Sequence, residues 1–87
     1  MEKTFTITNE AGLQSRPATL LVNTASRFAS DIFLIHNNQH INLKSIMGVM
    51  SLGLAQGEQF TLSIEGEDDI QALSALTTTL ASLELGA

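Results

Sequence analysis

The chain has no cysteine, no tryptophan and no tyrosine, and a single proline in 87 residues. Without cysteine there is no disulfide, no thiolate nucleophile and no cysteine-based metal site, and the composition fits a reducing cytosol. The aromatics are reduced to Phe5, Phe28, Phe33 and Phe60, so the interior has to be built from leucine, isoleucine, valine and alanine. Cations are scarce as well: four Lys and Arg stand against nine Asp and Glu, a formal charge of −5. Binding to nucleic acid or to an anionic membrane depends on neutralising phosphate with Lys and Arg, and four scattered cations argue against both. Any influence on a gene is expected to pass through another protein. No apolar run approaches membrane-spanning length, and residues 1–15 lack the apolar stretch behind a basic start that a signal peptide requires. The expected setting is cytoplasmic.

What is present suffices for a core. Hydrophobic residues make up 44% of the chain, which argues against disorder and, at this length, fits one domain over residues 1–87 without linker or internal repeat. Residues 3–8 alternate polar and β-branched or aromatic side chains and predict a half-buried strand, broken by Asn9-Glu10-Ala11-Gly12. Pro17 is suited to a first helical turn, where its missing N–H has no partner anyway. Ala18, Leu21, Val22 and Ala25 follow at helical intervals, predicting a helix over about Ser15–Arg27. A strand is expected over Asp31–His36, then a tight turn at Asn37-Asn38 with one Asn left-handed, then a strand over about His40–Leu43.

Ser45 offers an N-cap to a short apolar helix over residues 46–52, with Gly53 and Gly57 at its exit. Residues 59–65 alternate again as a fourth strand. The acidic cluster Glu67-Asp68-Asp69 precedes Ile70, Ala72, Leu73, Leu76, Leu80 and Leu83. Carboxylates in a first turn complement the helix dipole, so the cluster reads as a helix start rather than a metal site. Strands of alternating polarity with three helices on one side predict an α+β two-layer sandwich whose sheet has one wet face.

Two segments are more specific. Gly12-Leu13-Gln14-Ser15-Arg16-Pro17-Ala18 resembles the active-site motif Gly-(Leu/Ile)-His-Ala-Arg-Pro-Ala of the HPr-like phosphocarrier family. Asn42-Leu43-Lys44-Ser45-Ile46-Met47-Gly48-Val49-Met50-Ser51-Leu52-Gly53 resembles the regulatory serine motif of the same family, at a matching spacing. The resemblance implies an open-faced β-sandwich, four antiparallel strands under three helices in the order βαββαβα. It also implies that Gln14 stands where family members carry the histidine that takes phosphate from enzyme I and passes it to sugar-transport enzymes. An imidazole nitrogen is nucleophilic, whereas a neutral carboxamide has no basic lone pair to offer. Arg16, the family's phosphate-steadying arginine, then reads as a contact for an acidic partner surface.

No other residue is expected to replace the histidine. Ser15 reads as a capping or first-turn residue, and a serine phosphate ester is too stable for a rapid relay. His36 and His40, the only histidines, flank the predicted turn. With no cysteine or nearby carboxylate cluster, no functional metal site is expected from them, and no cofactor or catalytic residue is assigned. Ser45 remains as the phosphorylation site. Free backbone N–H groups and the positive end of the dipole favour an anion at a helix start, and phosphorylation there adds about 1.5–2 negative charges. On so short a helix Val49 and Leu52 are expected to turn inward. Ile46, Met47 and Met50 are left as an adaptable apolar docking patch.

The resemblance further implies modification of Ser45 with ATP by the bifunctional HPr kinase/phosphorylase. The phosphorylated form is then expected to act as corepressor of catabolite control protein A, a LacI-type repressor, with Gln14, Arg16, Ile46, Met47 and Met50 making the contact. The competing expectation is a working phosphocarrier of the sugar phosphotransferase system, through an unconventional residue or with Gln14 an engineered substitution. Ser15 argues against simple engineering, because most relatives have Ala there. The expected state is a monomer or weak dimer, with residues 9–14 as the hinge for any strand exchange.

Overall fold

A computed structural model describes residues 1–83 of the chain. The elements run β1 (Glu2–Thr6), α1 (Ser15–Ser26), β2 (Asp31–His36), β3 (Gln39–Asn42), α2 (Ile46–Met50), β4 (Gln59–Glu65) and α3 (Asp69–Ser82). The strands form one antiparallel sheet in the order β1-β4-β2-β3. This is the α+β open-faced sandwich expected from the sequence.

Alternation along the strands decides which side of the sheet is dry. Phe5, Ile32, Leu34, Phe60, Leu62 and Ile64 are buried on one face, and Ala18, Leu21, Val22 and Ala25 of α1 and Ala72, Leu76 and Leu80 of α3 close over them. The Phe5 and Phe60 rings stack with centroids 5.6 Å apart. Each large aliphatic side chain buried this way contributes roughly 1.5–3 kcal/mol, which makes this single layer the main source of stability.

α1 ends one residue early, at Ser26, and β3 runs Gln39–Asn42 rather than His40–Leu43; two larger shifts have a visible cause. β1 stops at Thr6 rather than residue 8, because Ile7 leaves the β4 ladder and bonds to the loop before it, Ile7 N–H to the Glu58 carbonyl and Gly57 N–H to the Ile7 carbonyl, both 2.9 Å. α2 is regular only to Met50, with Ser51 as its C-cap and Gly53 at φ +61° reversing the chain. Both turn residues of the β2–β3 hairpin are left-handed, Asn37 at φ 49° and Asn38 at φ 64°, not one alone. A two-residue loop with positive φ at both positions matches the twist of its strands, and Asn tolerates that conformation.

One contact ties the layers together across 38 residues of sequence. Asp68 is the N-cap residue of α3, its carbonyl accepting from Ala72 N–H at 2.9 Å, but its side chain makes no capping bond. Its carboxylate accepts instead from the N–H groups of Ala29 (2.8 Å) and Ser30 (2.9 Å) and from the Ser30 hydroxyl, at the start of β2. These bonds hold the carboxyl below its ordinary range, the Ser30 hydroxyl being the largest cause and the Ala29 N–H the next.

Candidate functional site

The loop before α1 fixes where Gln14 stands. Gly12 lies at φ +72°, and a Cβ there would collide with the Leu54 carbonyl. Only glycine lets the chain pass this close in that conformation. Leu13 is buried and donates its N–H to the same carbonyl at 2.9 Å, while the Asn9 side chain donates to the Gly12 carbonyl at 3.1 Å. Gln14 is therefore held at the N-cap of α1 in an extended conformation, with its carbonyl accepting from Ala18 N–H at 3.0 Å. Its side chain makes no capping bond and is exposed.

Ser15 is the first residue of the helix rather than its cap, and its carbonyl accepts from the Thr19 hydroxyl at 2.8 Å. Pro17 falls in the first turn, where no intrahelical acceptor is available to it. Arg16 is exposed and has no acidic partner among the described residues. With Ser15, Thr19 and Leu20 it lines a wide, shallow hollow of about 360 Å³. Leu20 and Thr19 are the site neighbours that sequence reasoning passed over. The signal was available: Leu20 is a large apolar residue off the buried Ala18–Leu21–Val22–Ala25 stripe, and it is 48% exposed.

Ser45 caps α2. It is extended at φ −111°, and its hydroxyl accepts from the Gly48 N–H at 3.3 Å. The turn that presents it is tied down on both sides. Ser45 N–H donates to the Asn42 carbonyl (3.0 Å), Lys44 N–H to the Asn42 side chain (2.9 Å), and Lys44 Nζ to the Phe28 carbonyl beyond the end of α1 (2.8 Å). Gly48 is needed for close packing here, since a Cβ would stand 2.9 Å from Cγ2 of Ile41 on β3. Val49 points into the core and Leu52 is partly buried against it, whereas Ile46 (38%), Met47 (83%) and Met50 (39%) are exposed. The split follows from helix geometry, because five residues present only one side to the sheet.

The expected site residues thus occupy two helix starts, Gln14 and Arg16 on α1 and Ser45 with its three apolar neighbours on α2. The two helices pack against each other, but among the described residues no hydrogen bond or ion pair joins the two groups. His36 and His40 are not brought together. His36 pairs with Gln39 and His40 with Ile35, which places them on opposite faces of the hairpin. His36 instead contacts the Gln59 carbonyl (3.1 Å) and the Glu58 carboxylate (3.4 Å). Among the described residues no three His, Cys, Asp or Glu side chains are placed to hold a metal, and no helix is long and apolar enough to cross a membrane.

Comparison with known proteins bears on this arrangement. The family model for the PTS HPr component phosphorylation site matches residues 1–82. Among solved structures, the histidine-containing phosphocarrier protein of a mycoplasma is 37% identical over 99% of this chain and 98% of its own, with a TM-score of 0.95. HPr-C-His from Thermoanaerobacter tengcongensis is 46% identical over 97% of this chain and 93% of its own, with a TM-score of 0.87. Crh, a catabolite-repression protein of Bacillus subtilis described as a swapped, intertwined dimer, is 44% identical over 85% of each chain, with a TM-score of 0.74.

Proposed function

The chain belongs to the HPr family of the phosphotransferase system, and from that membership we propose that it is a regulatory member resembling Crh, switched by phosphorylation of Ser45. The kinase is the bifunctional HPr kinase/phosphorylase, using ATP. The phosphorylated protein is a corepressor of catabolite control protein A, acts in the cytoplasm and is a substrate and ligand rather than an enzyme.

The observation that carries this reading is the setting of Ser45. Its hydroxyl sits at the start of an exposed helix beside Ile46, Met47 and Met50, so a kinase and then a repressor reach the same surface. A phosphate on that oxygen meets the free N–H groups and the positive end of α2 without unfolding it. The switch therefore acts by adding charge next to an apolar patch, which a basic pocket on the repressor reads. Gln14 supports the same view. It stands where the resemblance places the phosphate-accepting histidine, and its carboxamide keeps a similar size and hydrogen-bonding pattern without the nucleophile. Arg16 completes the contact surface from α1.

The likeness to histidine-containing phosphocarriers favours a second reading, a carrier of phosphoryl groups. Incubation with phosphoenolpyruvate and enzyme I separates the two, since the regulatory reading expects no acid-labile phosphoprotein. As to assembly, we read the protein as a monomer or weak dimer. β1 is an edge strand bonded only to β4, and the segment after it is the hinge an exchange of β1 would use. The deciding experiment is phosphorylation by HPr kinase and ATP with the product mapped by mass spectrometry. Phosphate on Ser45 and tighter repressor binding support the reading, and modification elsewhere rejects it.

A further inference from the structure

The sheet's second face carries no helix among the described residues, and its outward side chains follow from the register. Glu2, Ser63, Phe33 and Asn42 form one row across the four strands, Thr4, Thr61, Ile35 and His40 the next, and Asp31 faces Glu65 at the acidic end. Two features there are not what a merely solvated face needs. Asp31 and Glu65 are directly opposed like charges, an arrangement that destabilises a sheet. Phe33, beside them, is 36% exposed, whereas β1, β4 and β3 fill the same row with Glu2, Ser63 and Asn42. Asp31, Phe33, Ser63 and Glu65 line a hollow of about 200 Å³.

The chain's own cations do not serve this hollow. Among the described residues the only ion pair within 4.0 Å joins His36 and Glu58. Lys3 lies over the Phe5 ring at 5.3 Å, on the covered side of the sheet, and Lys44 is bonded to the Phe28 carbonyl. Arg16 and Arg27 stand at the two ends of α1. The N-terminal ammonium donates to the Ile64 carbonyl at 2.7 Å.

The geometry points to this hollow as the docking site for an arginine side chain on a protein partner. The guanidinium plane stacks on the Phe33 ring, and its forked N–H groups bridge the Asp31 and Glu65 carboxylates. Charge complementarity selects the occupant: the hollow is anionic and aromatic, and no Lys or Arg of the chain lines it. Arginine fits better than lysine because a planar, weakly hydrated group can stack and hydrogen-bond at once, whereas a compact ammonium cannot. A second copy of this chain fits poorly, since each copy carries a net charge of −5 and its arginines lie on the helical layer. This face is on the side of the sheet away from α1 and α2, so a partner seated here leaves Ser45 open. The inference stands whether or not Ser45 is phosphorylated.

The test is a titration of the ¹⁵N-labelled full chain at low ionic strength with the peptide amide Gly-Arg-Gly-Arg-Gly and its lysine counterpart. The expected result is saturable amide shifts centred on Asp31, Phe33, Ser63 and Glu65, with the arginine peptide at least roughly threefold tighter. The double variant Asp31→Asn/Glu65→Gln, which removes the like-charge pair and so retains the fold, abolishes the shifts. Phe33→Thr weakens binding several-fold while keeping a strand-forming residue. Shifts confined to residues 67–69, equal binding of the lysine peptide, or undiminished binding by the double variant would each overturn the assignment. So would a peptide-free dimer in sedimentation whose broadened resonances fall on the same four residues, which would give the face to a second copy.

Discussion

Replacing Ser45 by alanine removes the acceptor of the Gly48 N–H and leaves the rest of α2 in place. N-cap losses run from about 0.5 to 2 kcal/mol. Here the bond is 3.3 Å long and exposed, so water can take over part of it, and the lower half of that range applies, about 0.5–1 kcal/mol. For a domain of this size each kcal/mol moves the melting temperature by roughly 4–8 °C, so the expected fall is about 2–8 °C. Ser45→Asp keeps an acceptor and puts a negative charge at the helix start, so it should melt at or above the parent temperature. Thermal unfolding of the three proteins by circular dichroism at pH 7 measures both effects. An unchanged alanine variant together with a less stable aspartate variant is the opposite outcome. In that case the hydroxyl does not cap α2 and the helix start does not welcome an anion, and the physical case for a phosphate there is lost.

Three further outcomes follow from the same structure. Asp68 has a folded-state pKa below its ordinary value of 3.8, so its contribution is complete above that value and is lost as pH falls through the lower, folded one. Asp68→Asn should therefore flatten the acid limb of the melting-temperature profile below pH about 4, and an unaltered limb contradicts the clamp on Ser30. Met47 is 83% exposed, so Met47→Ala should change stability by less than about 0.5 kcal/mol. The same change should weaken binding of the Ser45-phosphorylated protein to the repressor at least roughly tenfold in surface plasmon resonance, and unchanged affinity removes Met47 from the contact. Gln14→His places an imidazole at a position whose side chain makes no capping bond, so it should gain acid-labile phosphate from phosphoenolpyruvate and enzyme I. Absence of that gain means Gln14 does not hold the place of the family's histidine.

The parts of the fold that were legible in the sequence are those governed by local periodicity. The alternation of residues 59–65 and the helical spacing of Ala18, Leu21, Val22 and Ala25 each encode which face is buried, and the structure buries those faces. Ser45 as a cap and the exposure of Ile46, Met47 and Met50 were legible for the same reason: a five-residue helix with one inward residue leaves its other sides outside. What the sequence hid is non-local. Nothing near Asp68 tells that its carboxylate turns from its own helix to Ala29 and Ser30, because that choice is made by how the start of β2 packs beside the start of α3. The His36–Glu58 contact and the opposed carboxylates of Asp31 and Glu65 depend on register, which is set only when the strands pair. The hollow at Arg16 and Leu20 was half visible, as an apolar residue out of step with its stripe.

In the proposed function, phosphate on Ser45 turns this surface into a repressor ligand. The most direct test of this is the affinity of the purified protein for catabolite control protein A before and after treatment with HPr kinase and ATP, alongside Ser45→Ala treated identically. Because the alanine variant is expected to lose only about 0.5–1 kcal/mol of stability, it remains folded under assay conditions and is a fair control. Kinase treatment is expected to strengthen binding of the parent protein and to leave the variant unchanged; equal strengthening of both, or of neither, would mean that Ser45 phosphate is not the switch.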